Sequence, residues 1–401
     1  MRKWNIAWVA AAALLAAAST ASAQDVKLGI LMGFTGPLEQ MSPPMAKATQ
    51  LVATQVNAQG GILKGGKLSF VQADDTCTDA TAASNAADRL INTEKVVAIV
   101  GAMCSGVTIA VANTVAIPAG VLMISSSATA PTISTLNDKD LVFRTAPSDA
   151  FQGEVLARLL MKKNIKDVAV TYVNNDYGKG LADSFTTAYK AIGGKVSANV
   201  SHEEGKADYR PELGQLAASA SQNLVVLAYN SGSGNTLLRQ AIESGNFKTY
   251  IGADGMVGDQ LFTGLDKKAL EGMIATKPGA PKTPGSAAFK DLAAKGGVDP
   301  NATYSPESYD AAFLLALAIQ KKGSATRDGL TAALRAVTAP GGMVIQPGEW
   351  DKAVKALAAG MAIKYQGASG NLDFDKNGDV PGTIIEMTVK NGTFTEVGPA
   401  A

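Results

Sequence analysis

The chain has 401 residues, 46% of them hydrophobic and only 6% aromatic, a length that points to two domains rather than one core. Its 36 basic and 35 acidic residues leave a formal charge of +1, so no basic field exists to hold nucleic acid or an anionic membrane surface. With one histidine, His202, and no CxxC or HxxxH spacing, a metal site is not expected.

The first local signal is at the N-terminus. Arg2 and Lys3 precede an apolar run from Ile6 to Ala18 and a small-residue site, Ser19 to Ala23. This is the pattern of a secretory signal peptide cleaved after Ala23. The run is too short to span the roughly 30 Å of a bilayer core as an anchor. Export puts Cys77 and Cys104 in an oxidising compartment, where a disulfide is the expected state and two buried free thiols the alternative.

Strand and helix signals then alternate. Val26 to Leu31 reads as a strand ending in the loop Gly33-Phe34-Thr35-Gly36-Pro37, followed by a helix from Pro44 to Asn57. Leu68–Ala73 is a strand, Thr81–Asn92 a helix, Val96–Gly101 a strand, Gly106–Ile117 a helix and Val121–Ser125 a strand, with another extended segment starting at Phe143. The pattern restarts with helices over Phe151–Lys163, Gly178–Ile192, Pro211–Ala220 and Thr236–Ser244. Strands over Val168–Val173, Val196–Val200, Leu224–Tyr229, Tyr250–Gly252 and Gly272–Thr276 are interleaved with them. Helical crossovers of this length imply parallel sheets. A Pro/Gly-rich crossover, Lys277 to Gly285, leads to helices over Ala287–Lys295, Ser308–Lys321 and Arg327–Ala336. The tail from Gly370 to Val397 reads as β-hairpins turning at Asp375–Gly378 and at Asn391-Gly392. Asp373 to Asp379 starts like a calcium loop, but position twelve is Ile384 rather than Glu, so the segment is expected to be a turn. The expected fold is α/β, with two doubly wound parallel-sheet lobes joined by a three-strand hinge. Residues 24–144 plus 277–368 form one lobe, and 145–276 plus 369–401 the other.

Several motifs occur in a fixed order: Gly33–Pro37, Asn57-Ala58-Gln59-Gly60-Gly61-Ile62, Asp74–Cys77, Cys104-Ser105, Ser127–Pro131, Asn175-Asp176-Tyr177-Gly178-Lys179-Gly180 and Gly252–Gly255. In this order the mature chain resembles the periplasmic leucine/isoleucine/valine-binding proteins of ABC transporters, over nearly its whole length. The resemblance implies a type I periplasmic binding protein fold, capture of a small ligand by hinge closure, and delivery to a membrane permease. It also implies a periplasmic, monomeric protein without a cofactor or catalytic activity, and pairing of Cys77 with Cys104.

An amino-acid zwitterion sets the chemistry to look for. Its carboxylate wants N–H and O–H donors near a helix start. Ser105, one residue before a helix, and Ser127 and Thr129, just after a strand, fit that need, with Ala128 between them. Each hydroxyl also fits an ordinary helix cap. The ammonium wants a carboxylate, and Asp254 between two small residues is the candidate, with a turn-capping role as the alternative. By resemblance, Tyr177, Tyr229, Asn230 and Tyr304 are ligand contacts. Met41 occupies a position where relatives carry a larger aromatic. Small amides or aromatic acids are the runner-up ligands, and a sensor for a receptor is the runner-up role. A serine hydrolase has little support, since His202 sits in a charged loop and no G-x-S-x-G occurs.

Overall fold

The computed structural model describes residues 23–400, so the signal-peptide segment lies outside the described residues apart from Ala23 itself. Two large sheets organise the chain, one of five strands and one of seven, and a separate parallel pair of short strands lies late in the chain.

The first is built from β1 (Val26–Met32), β2 (Leu68–Asp74), β3 (Ile99–Gly101), β4 (Met123–Ser125) and β5 (Val142–Arg144), in the order β2-β1-β3-β4-β5 and parallel throughout. Its crossovers are α1 (Ser42–Ala58), α2 (Ala80–Asp88) and α3 (Ser105–Val111). The run Val-Lys-Leu-Gly-Ile-Leu-Met of β1 is almost wholly buried, as expected for a central parallel strand covered on both faces.

The second sheet takes β6 (Asp167–Val173), β7 (Lys195–His202), β8 (Asn223–Leu227), β9 (Thr249–Gly252) and β10 (Ile274–Pro278), with α4 (Asp149–Lys162), α5 (Asp176–Ala191), α6 (Arg210–Ala217) and α7 (Ser233–Ser244) between them. Along α5 the buried positions Tyr177, Leu181, Phe185 and Tyr189 recur every fourth residue and make one apolar stripe. The chain then returns to the first sheet with α8 (Pro284–Lys295), α9 (Ser305–Lys322), α10 (Leu330–Thr338), β11 (Met343–Ile345), α11 (Trp350–Ala358) and β12 (Ile363–Tyr365). From Ser305 to Ile319 every residue of α9 is buried, so this helix is enclosed on all sides, against α1 and α10 among others. The tail adds β13 (Ile384–Lys390) and β14 (Thr393–Pro399) antiparallel to the edge of the second sheet at β10.

The backbone passes between the sheets three times: after β5, after β10 and before β13. The first and third passages are tied together. Arg144, fully buried at the end of β5, donates from Nε to Asp379 Oδ1 at 2.6 Å and from Nη2 to Oδ2 at 3.0 Å, and Ser134 Oγ donates to the same carboxylate at 2.6 Å. A guanidinium matched to a carboxylate in this forked way fixes orientation as well as position.

Some expectations differ from the structure. The helices expected over Thr81–Asn92 and Gly106–Ile117 end as α-helix at Asp88 and Val111 and continue as single π-type turns, Arg89–Thr93 and Ala112–Ala116. β10 runs on through Lys277 and Pro278 because both pair with β13, so the crossover begins at Gly279. Only one hairpin forms in the tail. It turns at Asn391-Gly392, both with positive φ (54° and 72°), as a two-residue hairpin loop requires. Asp375–Gly378 is a turn without flanking strands. The Asp375 carboxylate accepts from Asn377 N and Asp379 N, while Asp379 is committed to Arg144. No cluster able to hold a metal occurs among the described residues. The segment from 341 to 368 carried no expected element, yet it holds β11, α11 and β12. There Trp350 is buried and its Nε1 donates to Gly61 O at 2.9 Å.

Candidate ligand-binding cleft

The candidate residues converge beyond the carboxyl ends of the parallel strands, where open α/β sheets bind ligands. Each arrives on a loop between a strand and the next helix. β3 leads to Met103, Cys104 and Ser105, and β4 leads to Ser127. β6 leads to Tyr177, β8 to Tyr229 and β9 to Asp254. Leu38 and Met41 come from the loop after β1, and Tyr304 from the residue before α9.

These side chains line a small, partly open cavity, completed by Met103, Cys104 and Gly255. Seven of the sequence candidates line it: Met41, Ser105, Ser127, Tyr177, Tyr229, Asp254 and Tyr304. Ala128, Thr129 and Asn230 do not. Ala128 is fully buried behind the loop, and Asn230 faces a broader neighbouring groove that shares Met41 and Tyr304 as its wall. Thr129 lies beside Asp149, whose backbone N–H donates to Thr129 O at 2.8 Å.

Local hydrogen bonds explain how the polar end is shaped. Ser125 Oγ donates to Ala102 O at 2.6 Å and accepts from Ala128 N at 3.0 Å, which curls the chain back after β4. Ser105 Oγ accepts from Thr129 N (3.2 Å) and Ala130 N (3.1 Å), so its hydroxyl proton stays available. Ser127 Oγ donates to Met103 O at 2.9 Å. The Cys77–Cys104 disulfide is formed, with Cα atoms 5.1 Å apart, and pins this corner to the end of β2. Asp75 braces it further. Its buried carboxylate accepts from Cys77 N and Met103 N, and burial pushes its pKa up to about 6.

The acidic end is denser. Asp254 Oδ2 accepts from Tyr304 OH at 2.6 Å, while Oδ1 accepts from Gln152 Nε2 at 2.7 Å and from Tyr177 OH at 3.0 Å. Tyr177 and Tyr229 stack at 5.4 Å between ring centres, and Asn175 Nδ2 donates to Tyr229 OH at 3.0 Å. Asn175 also caps α5 through Gly178 N, so one residue fixes both the helix start and the second tyrosine.

Two residues that sequence reasoning passed over stand out. Asp149 is wholly buried in the first turn of α4, and neither carboxylate oxygen has a hydrogen-bond partner. Burial, and then the neighbouring Asp254 charge, hold its carboxyl well above the usual range, against the opposing pull of Thr129 and Arg144. Burial likewise raises Asp254, offset in part by its three hydroxyl and amide donors. Gln152, one turn along α4, orients Asp254 and keeps its own Oε1 unpartnered. The available signal was the acid just after the helix cap Ser148, which ordinarily reads as a residue stabilising the helix dipole.

Two close, dry carboxylates disfavour one another's ionised form, and a cation placed between them favours both. The Ser105 hydroxyl stands at one end of the cavity, Asp254 at the other with Asp149 behind it, and Leu38, Met41 and Met103 supply an apolar wall. His202 is not part of it. Its ring is buried, bonded to Thr171 Oγ1 at 2.8 Å and Ser233 Oγ at 3.2 Å, and burial lowers its pKa to about 4.

Comparison with known proteins gives consistent relatives. A family model described as "Periplasmic binding protein" matches residues 25–367. The leucine-, isoleucine-, valine-, threonine- and alanine-binding protein of Pseudomonas aeruginosa is 30% identical over 394 residues, covering 97% of this chain and 96% of that one. The crystal structure of a leucine-binding protein from Thermotoga maritima superposes with a TM-score of 0.77 at 25% identity, covering 92% of this chain and 97% of that one. A branched-chain amino acid transporter substrate-binding protein of Streptococcus pneumoniae, solved with isoleucine, gives a TM-score of 0.76 at 25% identity, covering 94% and 100%.

Proposed function

The chain belongs to the periplasmic binding protein family, and from that premise we propose that it captures branched-chain or related α-amino acids in the periplasm for an ABC transporter. The observation that carries this reading is Asp254, a buried acid lining a small, largely apolar cavity, with a second buried acid, Asp149, behind it. The ligand ammonium takes its place against Asp254, Tyr177 and Tyr304, with Asp149 behind. The carboxylate meets the Ser105 hydroxyl, whose proton is available, and the aliphatic side chain rests on Leu38, Met41, Met103 and Tyr229. The lobes, residues 24–144 with 277–368 and 145–276 with 369–401, close on it about the three passages, so that both contribute contacts. The closed monomer then docks on its permease.

An aromatic acid fits this site poorly. It would bring a third negative charge beside two carboxylates and leave both without a counter-ion. A small amide brings no cation. Catalysis has no support in the site, whose Ser105 and Ser127 hydroxyls are bonded to backbone N–H and carbonyl groups rather than to a base. Calorimetric titration of the mature chain, unfolded and refolded to strip bound ligand, tests the proposal. Leucine, isoleucine or valine should bind one to one. Binding of benzoate or an aliphatic amide with no response to any amino acid would overturn it.

A further inference from the structure

Across the cleft, three glycines meet residues that belong to the other sheet. Gly180 lies in the second turn of α5. A methyl carbon built on it would sit 2.8 Å from Pro131 Cδ, and its next neighbours are Cγ and N of the same proline, at 3.7 and 3.8 Å. Pro131 opens the short helical turn Pro131–Thr135 that follows β4. Gly232, which precedes α7, would place a methyl carbon first against the Glu204 carboxylate of its own side, which is bonded to Ser233, and then 2.7 Å from Pro37 Cβ, in the loop after β1. Beside it, Ser231 Oγ donates to Pro37 O at 2.6 Å, a hydrogen bond that joins the same two elements. Gly106, in α3, would come 3.1 Å from Asp176 Oδ2 at the start of α5.

The backbone does not demand glycine at Gly106 or Gly180, which are helical. Inside a helix, glycine is less favourable than alanine, so Gly180 weakens α5 with no conformational return. What glycine supplies at Gly180 is room: Pro131 of the facing element occupies the space that a side chain would take. None of the three lines the cavity.

We propose that Gly180 is a positioning residue for lobe closure: a bare backbone seat on which Pro131 lands, setting how tightly the cleft shuts and how long ligand is retained. The inference rests on the capture reading above. Contacts of this kind exist only in the closed form, so filling a seat penalises that form alone. A ligand that depends on closure then loses affinity without touching the altered residue. Overpacking against a proline ring leaves the methyl group nowhere to go, because the ring cannot swing aside as a flexible side chain can.

The test compares wild type with Gly180→Ala and, as a control, Gly214→Ala in α6, where a methyl carbon meets nothing within 4 Å. Isoleucine affinity is measured by calorimetry, dissociation by stopped flow, and ligand-free stability by thermal unfolding. Gly180→Ala should bind isoleucine at least ten-fold more weakly, through faster dissociation. Ligand-free Gly180→Ala should unfold at or above the wild-type midpoint. Gly214→Ala should keep its affinity within two-fold. Unchanged affinity in Gly180→Ala, or lost affinity that tracks lost ligand-free stability, overturns the seat and leaves capture standing. If wild type binds no amino acid at all, the capture reading falls and this one with it.

Discussion

Replacing Asp254 by asparagine separates the ligand-binding role of this carboxylate from a structural one, because the two roles predict opposite signs. The side chain keeps its shape and one carbonyl oxygen for Tyr304 or Tyr177, while the charge is removed. In the ligand-free protein that charge is costly, since burial raises the Asp254 pKa and the neighbouring Asp149 raises its own in response. The sign follows from linkage. A carboxyl whose folded pKa lies above its unfolded value costs the fold stability as pH rises through that interval. At pH 7 the Asp254→Asn variant therefore unfolds at the same or higher urea concentration than wild type. Binding goes the other way. Two unit charges 4 Å apart at an effective dielectric near 20 interact by about 4 kcal/mol, and removing one partner of a buried pair costs about 3–5 kcal/mol. At 1.4 kcal/mol per decade this weakens amino-acid binding by roughly 10²- to 10³-fold. Calorimetric titration with leucine and ligand-free urea unfolding read the two signs. Leucine affinity within three-fold of wild type, or a loss of binding that merely follows a loss of ligand-free stability, refutes the reasoning.

Binding should also release protons. Ionised Asp149 and Asp254 are needed to hold an ammonium, and both are raised in the free site, so affinity should fall as pH drops from 7 to 5; titrations in buffers of different ionisation enthalpy should show proton release that Asp254→Asn diminishes. Asp379→Ala leaves the fully buried Arg144 guanidinium without its carboxylate and should cost about 3–5 kcal/mol in urea unfolding, whereas an exposed pair such as Lys195–Asp167 should cost less than about 1 kcal/mol. Reducing Cys77–Cys104, which are 27 residues apart, should lower stability by roughly 3–4 kcal/mol on the chain-entropy account, and should weaken ligand binding as well because Cys104 lines the cavity.

Much of this protein is legible in its sequence for identifiable reasons. Central parallel strands such as β1 and β8 are continuous apolar runs, and the loops that follow them must carry the site, so Ser105 and Asp254 stand out there as candidates beside their capping roles, while Tyr177 is named only through the family resemblance. Boundaries that depend on backbone geometry are not legible in this way. The π-type turns after Asp88 and Val111 are invisible to a 3.6-residue period, and the second tail hairpin fails because Asp375 and Asp379 spend their carboxylates on a turn and on Arg144. α11 was hidden because its buried stripe, Trp350, Ala353 and Ala356, is mostly alanine and its other face is lysine-rich. Asp149 was missed for a more general reason. An acid after a serine cap looks like a helix-dipole partner, and only the tertiary structure shows it sealed in beside Asp254. Gly180 belongs to the same class: its meaning lies in the facing Pro131, which is distant in sequence.

The central claim is that this cavity selects its ligand by the α-ammonium group. Leucine and 4-methylpentanoate share the aliphatic chain and the carboxylate and differ in that group, so comparing them on ligand-stripped wild-type protein is the most direct test. Leucine at 100 times its dissociation constant should stabilise the protein by about 2.7 kcal/mol, and 4-methylpentanoate at the same concentration should leave the unfolding midpoint where it was. Equal stabilisation by the two, or stabilisation by 4-methylpentanoate or benzoate alone, would contradict the account.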